Sequence, residues 1–514
     1  MHWADVIALD LISKTESHLI STGITPSGTL HVGTLREAIT AEAVRKSVVE
    51  AGGNVRMIYL IDSFDPLRRR YPFLPESFEA EVGRPLSHIP CPCGKHDNYA
   101  HHYIQPFLDS IQELGIHCQV LWTHEQYEEG KFADVIDIAI TNKDRVAKIL
   151  EEVSGRDLPE DFYPYTPRCK ECGRLSHSKV IGYEKPFVSY QCACGYSGKA
   201  DIRKADGKMP WRVEWAAKWK VFGVTCEPFG KDHAAAGGSY DTGVRLAEEV
   251  FGIEPPRPIA YEFVQLKGKG QMHKSTGSPV TGVDALNITP PQVMNYIILR
   301  VNPERHIDYD SGIGILDMVD EYDRTEKLFF SGEASEKDMD ILRAYELSQP
   351  EGPRSRQPLQ IPYRHLVSLV QIVNGFDGVV TTLTRMEMID DSVDPEDMAI
   401  LKQRVDCVNY WLDGFAPNQV KFEVCMTIPG CQISEQEKEF LSKLYDSICI
   451  VDWDGENIHD AIYLCAKESP LGPRGGFRIL YRIFCDQKQG PRLGFFFSTL
   501  DRDFVLNRIK EASD

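Results

Sequence analysis

Between a short apolar run at residues 18–22 and a helical pattern beginning near Leu35 lies the stretch Gly23-Ile-Thr-Pro-Ser-Gly28-Thr-Leu-His31-Val-Gly33-Thr34. A turn of this composition can hold a phosphate. Gly28 and Gly33 remove side chains where a nucleotide must approach the backbone. Unpaired N–H groups at the helix start attract anions. His31, in the first helical turn, can donate to an α-phosphate oxygen as charge builds there. By itself an H-x-G turn is as readily a tight turn with a capping histidine. A second stretch, Lys267-Gly-Lys-Gly-Gln271-Met272-His273-Lys274-Ser275-Thr276-Gly277, is short, glycine-flanked and basic, as a loop that closes over a triphosphate should be. Alone it would equally suit a solvated basic loop.

Cysteines supply a third kind of chemistry. Cys169-x-x-Cys172-Gly and Cys192-x-Cys194-Gly are two paired-thiol turns about twenty residues apart, and four thiolates on two such knuckles suit a tetrahedral structural Zn²⁺. The polar segment between them is too short for a core of its own, so a metal staple has a physical purpose there. Cys91-Pro-Cys93-Gly-Lys-His96, followed by His101-His102, has ligand-type residues too crowded in sequence for an evident tetrahedron. It reads as a loop bordering the active site. Cys118, Cys226 and the six cysteines after position 400 read as buried thiols.

These residues need a scaffold. At 514 residues the chain is too long for one core, and its 42% hydrophobic and 26% charged content is that of an ordinary globular protein. The first half alternates strand-like runs (18–22, 55–61, 116–122, 220–225, 259–266) with helix patterns near 35–43, 99–114 and 242–251, which predicts a parallel α/β sheet. From about Ile315 the apolar residues fall at helical spacing, and the Pro/Arg/Gln-rich residues 349–362 read as a linker. The expected fold is thus a Rossmann-type α/β catalytic domain (1–314) carrying a zinc-ribbon-like insertion (160–205), followed by an all-α domain (315–514). No apolar run approaches the ~20 residues of a membrane helix. The start lacks the features of a signal peptide, so a cytoplasmic location is expected. A net charge of −19 argues against non-specific nucleic-acid binding, and hence DNA, but leaves room for a structured RNA partner.

An H-x-G early and a Met-x-Lys-Ser late, flanking one α/β domain, resemble the two signatures of class I aminoacyl-tRNA synthetases. Longer blocks narrow the resemblance: Tyr59-Leu-Ile-Asp62-Ser-Phe-Asp65-Pro-Leu-Arg68, Pro210-Trp211-Arg-Val-Glu214-Trp215, the run from Glu227 to Asp241, Tyr261-Glu262-Phe263 and Gly490-Pro491-Arg492-Leu-Gly494 are similar to the class I lysyl-tRNA synthetases over nearly the whole chain. Departures are Thr34 where His or Asn is general, and Gln271 and His273 where Lys and Ser are usual.

The resemblance implies an enzyme that uses ATP with Mg²⁺ to form lysyl-adenylate and then charges tRNA-Lys. It implies catalytic roles for His31, Gly33 and Lys274. ATP would be bound by Pro26, Ser27, Gly28, His31, Gly33, Thr34, Met272, His273, Lys274 and Ser275. The lysine site would draw on Gly23, Thr25, Asp62, Trp211, Glu214, Trp215, His233, Tyr261 and Phe263: aromatic walls for the aliphatic stem, with Glu214 or Asp62 pairing the ammonium. The helical half would bind the anticodon, with Arg474, Arg478, Arg482 and Arg492 offering a basic face. A glutamyl- or glutaminyl-type synthetase would instead need a basic residue for the substrate side chain. A non-catalytic relative and a nucleotidylyltransferase are further alternatives.

Overall fold

The computed structural model describes residues 1–155, 157–267, 270–271, 280–390, 392–430 and 432–514. Two compact units share the chain. One comprises Met1–Leu286, Pro291–Tyr309 and Ser331–Pro353, the other Asn287–Pro290, Asp310–Phe330 and Arg354–Asp514. The chain therefore passes between the units several times, while from Gly314 onward its elements are helices.

The first unit is built on five strands: β1 (Ser17–Ile24), β2 (Asn54–Ile61), β3 (Gln119–Trp122), then Cys226–Gly230 and Arg257–Tyr261. All pair in parallel, in the spatial order Arg257–Tyr261, Cys226–Gly230, β1, β2, β3. This is the order of a Rossmann-type sheet. The helix α1 (Val32–Glu50) crosses from β1 to β2 and buries Leu35, Ala38, Ile39 and Ala43, the stripe expected from the 3.6-residue period. Gly52 ends that crossover at φ 88°, a conformation a side chain would oppose.

Two strand expectations need correction. Residues 220–225 are not a strand: the helix Trp211–Phe222 runs on through the β-branched and aromatic residues, and Gly223 caps it in the left-handed conformation. Its buried Val213, Ala216, Ala217 and Trp219 hold the helical period against local strand propensity, so the true strand starts at Cys226. The run 259–266 divides in two. Arg257–Tyr261 joins the main sheet, while Val264–Leu266 pairs with Ile307–Tyr309 and with Gly270–Gln271 in a separate small sheet.

The cysteine-bearing insertion forms an antiparallel sheet of Ser178–Glu184, Phe187–Cys192 and Ser197–Asp201. Its apolar side, with Val180, Val188, Tyr190 and Ala200, joins the core beneath the α/β sheet.

The second unit is helical. Phe440, Leu441, Leu444, Ile479, Leu480, Ile483 and Phe484 share one core with the last two helices, Leu493–Thr499 and Arg502–Ser513. Side-chain caps set helix starts, among them the reciprocal Ser434/Glu437 pair and Asp454, which accepts from the N–H groups of Glu456 and Asn457. Gly494 meets Gly455 so closely that a Cβ on it would lie 2.0 Å from the Gly455 carbonyl oxygen, which gives the Gly490–Gly494 block a packing role. Among the described residues no helix is long and apolar enough to cross a membrane.

Candidate active site

From β1 the chain winds toward β2 and β3, and from Cys226–Gly230 it winds the opposite way, toward Arg257–Tyr261. The carboxyl ends of these two adjacent strands border a topological switch point, where open α/β sheets bind ligands. β1 ends at Gly23 and Ile24, beside Leu60 and Ile61 of β2. A Cβ on Gly23 would lie 2.4 Å from the Leu60 carbonyl oxygen, so only glycine allows the strands to come this close. Beyond it Pro26 and Gly28 are buried, and the Tyr99 hydroxyl donates to the Ser27 carbonyl at 2.8 Å. His31 is the N-cap of α1, in extended conformation with no side-chain cap bond; Thr34 is buried in the first turn.

His31 also pairs in an isolated β-bridge with Thr281, and the Gly282 N–H donates to the Leu30 carbonyl. At the other end Gly270–Gln271 pairs with Val264–Leu266. Residues on both sides of the basic stretch are thus tied down, one of them directly to His31. Met272, His273, Lys274 and Ser275 lie outside the described residues.

The acids expected to receive an ammonium are mostly engaged by the chain's own lysines. Glu214 is 1% exposed and takes the Tyr127 hydroxyl at 2.5 Å and the Lys208 ammonium at 2.9 Å, with Lys218 at 3.6 Å. It has no face toward a ligand, which corrects the expectation that it pairs the substrate. Asp62, partly exposed, is paired to Lys218. Lys208 also reaches Asp65, whose other oxygen accepts from Thr25. Burial opposes the charge on Lys208, yet Asp65 and Glu214 hold its pKa above the ordinary value. Three carboxylates facing two ammonium groups leave this buried set with one surplus negative charge.

A carboxylate that the sequence reading overlooked stands in the crevice. Glu37, in the second turn of α1, accepts from the Thr22 hydroxyl, the Gly23 N–H at 3.0 Å and the Tyr261 hydroxyl at 2.6 Å. All three donors are neutral, and among the described residues no lysine or arginine pairs with it. Its side chain remains partly exposed. Burial raises its pKa against the pull of those three hydrogen bonds and of His233. The signal available in the sequence was an acid one and a half turns after His31, on a helix otherwise buried around it.

Aromatic groups gather opposite. The rings of Trp211 and Trp215 lie 6.0 and 5.5 Å from that of His233, and Trp211 is 40% exposed. Trp215 and Trp219 both donate to Glu227, whose carboxyl burial pushes up to about 8. Phe263 lies under the Lys231 ammonium, 5.1 Å from its ring centre. The buried Arg36 guanidinium donates to the carbonyls of Glu262, Pro303 and Arg305, fixing the Tyr261–Phe263 segment against α1.

Two clusters could hold a metal ion. Cys169, Cys172, Cys192 and Cys194 converge with Sγ–Sγ separations of 3.6 Å (Cys169–Cys194) and 3.7 Å (Cys172–Cys192). Tetrahedral thiolates at about 2.3 Å from zinc stand about 3.8 Å apart, so the donor set fits. Gly173 and Gly195, both at positive φ, return their N–H groups to the carbonyls of Cys169 and Cys192 and shape the two knuckles. Cys91, Cys93, His96 and His102 also converge, with S–N and N–N contacts of 3.3–3.4 Å. Here the reading of a plain loop is corrected. Gly94, at φ 70°, folds the loop back, and His102 enters from the first turn of the helix Tyr99–Glu113. Of the scattered cysteines, Cys226, Cys407 and Cys485 are buried, whereas Cys118, Cys425, Cys449 and Cys465 are partly exposed and Cys431 lies outside the described residues.

In the helical unit Arg474 and Arg478 are exposed on the helix Gly472–Cys485. Arg482 is held by Glu437 and the Gln432 carbonyl. The expected basic face therefore loses one member to an internal ion pair.

The family of class I (K) tRNA synthetases matches residues 1–351. Over the full length the chain is 42% identical to a lysine–tRNA ligase of Archaeoglobus fulgidus, covering 100% of both chains. It is also 42% identical to lysine–tRNA ligases of Thermoplasma acidophilum and Methanosarcina barkeri, covering 100% of this chain and 99% and 98% of those proteins.

Proposed function

The chain belongs to the class I (K) tRNA synthetases and is an enzyme that joins lysine to tRNA with the use of ATP, and on that premise we propose how its residues divide the work. The observation that carries the assignment is Glu37: a partly exposed carboxylate held by neutral donors alone at the switch-point crevice. We assign it, with Tyr261, to the ε-ammonium of lysine. Trp211, Trp215, His233 and Phe263 would wall the aliphatic stem, and Gly23 and Thr25 would border the reacting carboxylate. Asp62 and Glu214 act one step back, through Lys218 and Lys208, by holding the floor of the site.

The lysine carboxylate is already a nucleophile at neutral pH, so activation needs alignment and charge stabilisation rather than a general base. It attacks the α-phosphorus in line, and pyrophosphate leaves. Pro26, Ser27, Gly28, Gly33 and Thr34 form the cradle at the helix start, and His31 donates to the α-phosphate. Lys274, with Met272, His273 and Ser275, is assigned to the β- and γ-phosphates. The bridge between Thr281 and His31 supports this, because it ties the residue that follows the basic stretch by four positions to the same helix start. Mg²⁺ would arrive on the triphosphate as its counter-ion and needs no protein cage. In the second step the terminal adenosine hydroxyl of tRNA-Lys attacks the adenylate and AMP leaves.

Cys169, Cys172, Cys192 and Cys194 would hold one structural Zn²⁺, and Cys91, Cys93, His96 and His102 a second, each cross-linking a segment with little core of its own. We assign the catalytic role to residues 1–314, with 160–205 as the zinc insertion, and anticodon binding to the helical region 315–514.

Lysine-dependent ATP–pyrophosphate exchange, run with and without tRNA across a panel of amino acids and repeated with Lys274→Ala, tests the reading. Exchange with lysine alone, lost in the variant, is expected. Strong exchange with glutamate or glutamine, or none under any condition, would overturn it.

A further inference from the structure

A cavity in the helical unit has a volume of about 510 Å³ and is lined mainly by apolar side chains, within the range of about 300–1,000 Å³ usual for small-ligand sites. His365 forms part of its wall. That residue is 7% exposed, and among the described residues neither ring nitrogen has a hydrogen-bond partner. A buried polar side chain without a partner is uncommon, because the lost hydration must be replaced. One that faces a cavity is waiting for a ligand to replace it.

We propose that this cavity takes one unstacked nucleobase of the tRNA, stacked on Phe495 and hydrogen-bonded along its edge by His365, with Arg492 at the rim. The proposal rests on the tRNA-ligase reading and assigns to particular residues a contact that the reading leaves open. Four features argue for a base rather than a lipid or an apolar peptide. His365 stays neutral, burial having pushed its pKa down to about 4, so it presents one donor and one acceptor, as base edges do. The Phe495 ring is held in place: it lies 5.6 Å from the His365 ring, and a Cβ on Gly455 would meet it at 2.8 Å. The Arg492 guanidinium, 5.4 Å from the Phe495 ring centre, is exposed and has no carboxylate partner among the described residues. It is free to stack on the far face of a base or to meet its phosphate. Finally, sequence-selective proteins recognise RNA mainly through bases splayed out onto aromatic and arginine faces.

The test uses the full chain. Lysylation is measured against tRNA concentration for the wild type, His365→Ala and Arg492→Ala, the last being a surface change that leaves the core intact. A set of tRNAs, each with one loop base removed, is charged by each enzyme. The expected result is a rise of about tenfold or more in the KM for tRNA, with the KM for lysine unchanged. One abasic position that weakens charging by the wild type should cease to matter in the His365 and Arg492 variants, while the other positions keep their effects. Wild-type KM and wild-type sensitivity at every position in both variants would overturn the pocket while leaving the ligase reading standing. A wild-type protein that charges no tRNA with lysine would overturn both.

Discussion

Replacing Glu37 by glutamine separates the charge of that side chain from its shape. In the protein its two oxygens take three neutral hydrogen bonds, from Thr22, Gly23 and Tyr261. The amide can keep most of them: one oxygen remains for Thr22 and Gly23, and the Tyr261 hydroxyl can turn to accept from the new NH₂. The fold is therefore little disturbed. What disappears is the negative charge that the proposed assignment sets against the substrate ammonium. Truncating one partner of a desolvated charge pair costs about 2–5 kcal/mol, which at about 1.4 kcal/mol per tenfold is a factor of roughly 30 to several thousand. The pairing exists before and during reaction, so the loss should fall on the KM for lysine and spare kcat. Lysine-dependent pyrophosphate exchange in the presence of tRNA measures both. The same residue predicts a pH effect. Burial raises the Glu37 pKa above the ordinary 4.5, so as pH falls the carboxylate protonates early and the wild-type KM for lysine climbs. Glu37→Gln removes that limb. A variant whose lysine KM stays within about threefold of the wild type, with the same pH profile, would refute the assignment.

Three other outcomes follow from the structure. Lys208→Met leaves Asp65 and Glu214 buried without their shared cation, and the unfolding free energy should drop by about 3–5 kcal/mol; an unmoved denaturant midpoint would contradict the buried network. Glu227, raised by burial from the ordinary 4.5 to about 8, binds a proton in the folded state that the unfolded chain has released. Stability should accordingly fall as pH rises from about 4.5 to 8, by on the order of 4 kcal/mol at about 1.4 kcal/mol per pH unit, and Glu227→Gln should flatten that slope in pH-dependent thermal unfolding. Elemental analysis should find two zinc ions per chain, falling to one in Cys93→Ser; a single ion in the wild type would leave the Cys91 cluster without its metal.

How far the sequence carried the reading depended on the range of the interactions involved. Local signals worked: the strand–Gly/Pro-turn–helix run from residue 17 to 50 is in place, as are the two cysteine knuckles, whose shape depends on a glycine next door. Signals that needed long-range partners did not. Asp62 looked free to bind an ammonium because its lysine is far off in sequence: Lys218 is 156 residues from Asp62, as Lys208 is 143 from Asp65, whereas Glu214 has Lys218 four residues on along its own helix, a local signal that was there to be used. The Cys91 loop looked too cramped for a metal because the fourth residue of its cluster, His102, arrives on a helix that the spacing did not show turning back. Glu37 was passed over for the opposite reason. A lone acid in a helix is usually a solvated surface residue, and only the tertiary approach of Tyr261 and Gly23 makes it a wall of the crevice.

Those pairings bear on selectivity. The site floor contains acids in quantity, yet internal lysines engage most of them, so the surplus available to a ligand is small and localised. An unpaired acid at Glu37, beyond aromatic walls, suits a cation at the end of a long apolar stem. A shorter cationic side chain would leave Glu37 unmet, a neutral one would leave it without a charge partner, and glutamate would bring two carboxylates together. Each mismatch leaves a partly desolvated carboxylate without its counter-charge, which is the kind of penalty that discriminates most strongly. On the proposed assignment, specificity for lysine would rest as much on the internal lysines as on Glu37: without Lys208 and Lys218 the crevice would hold several bare acids and would attract any cation.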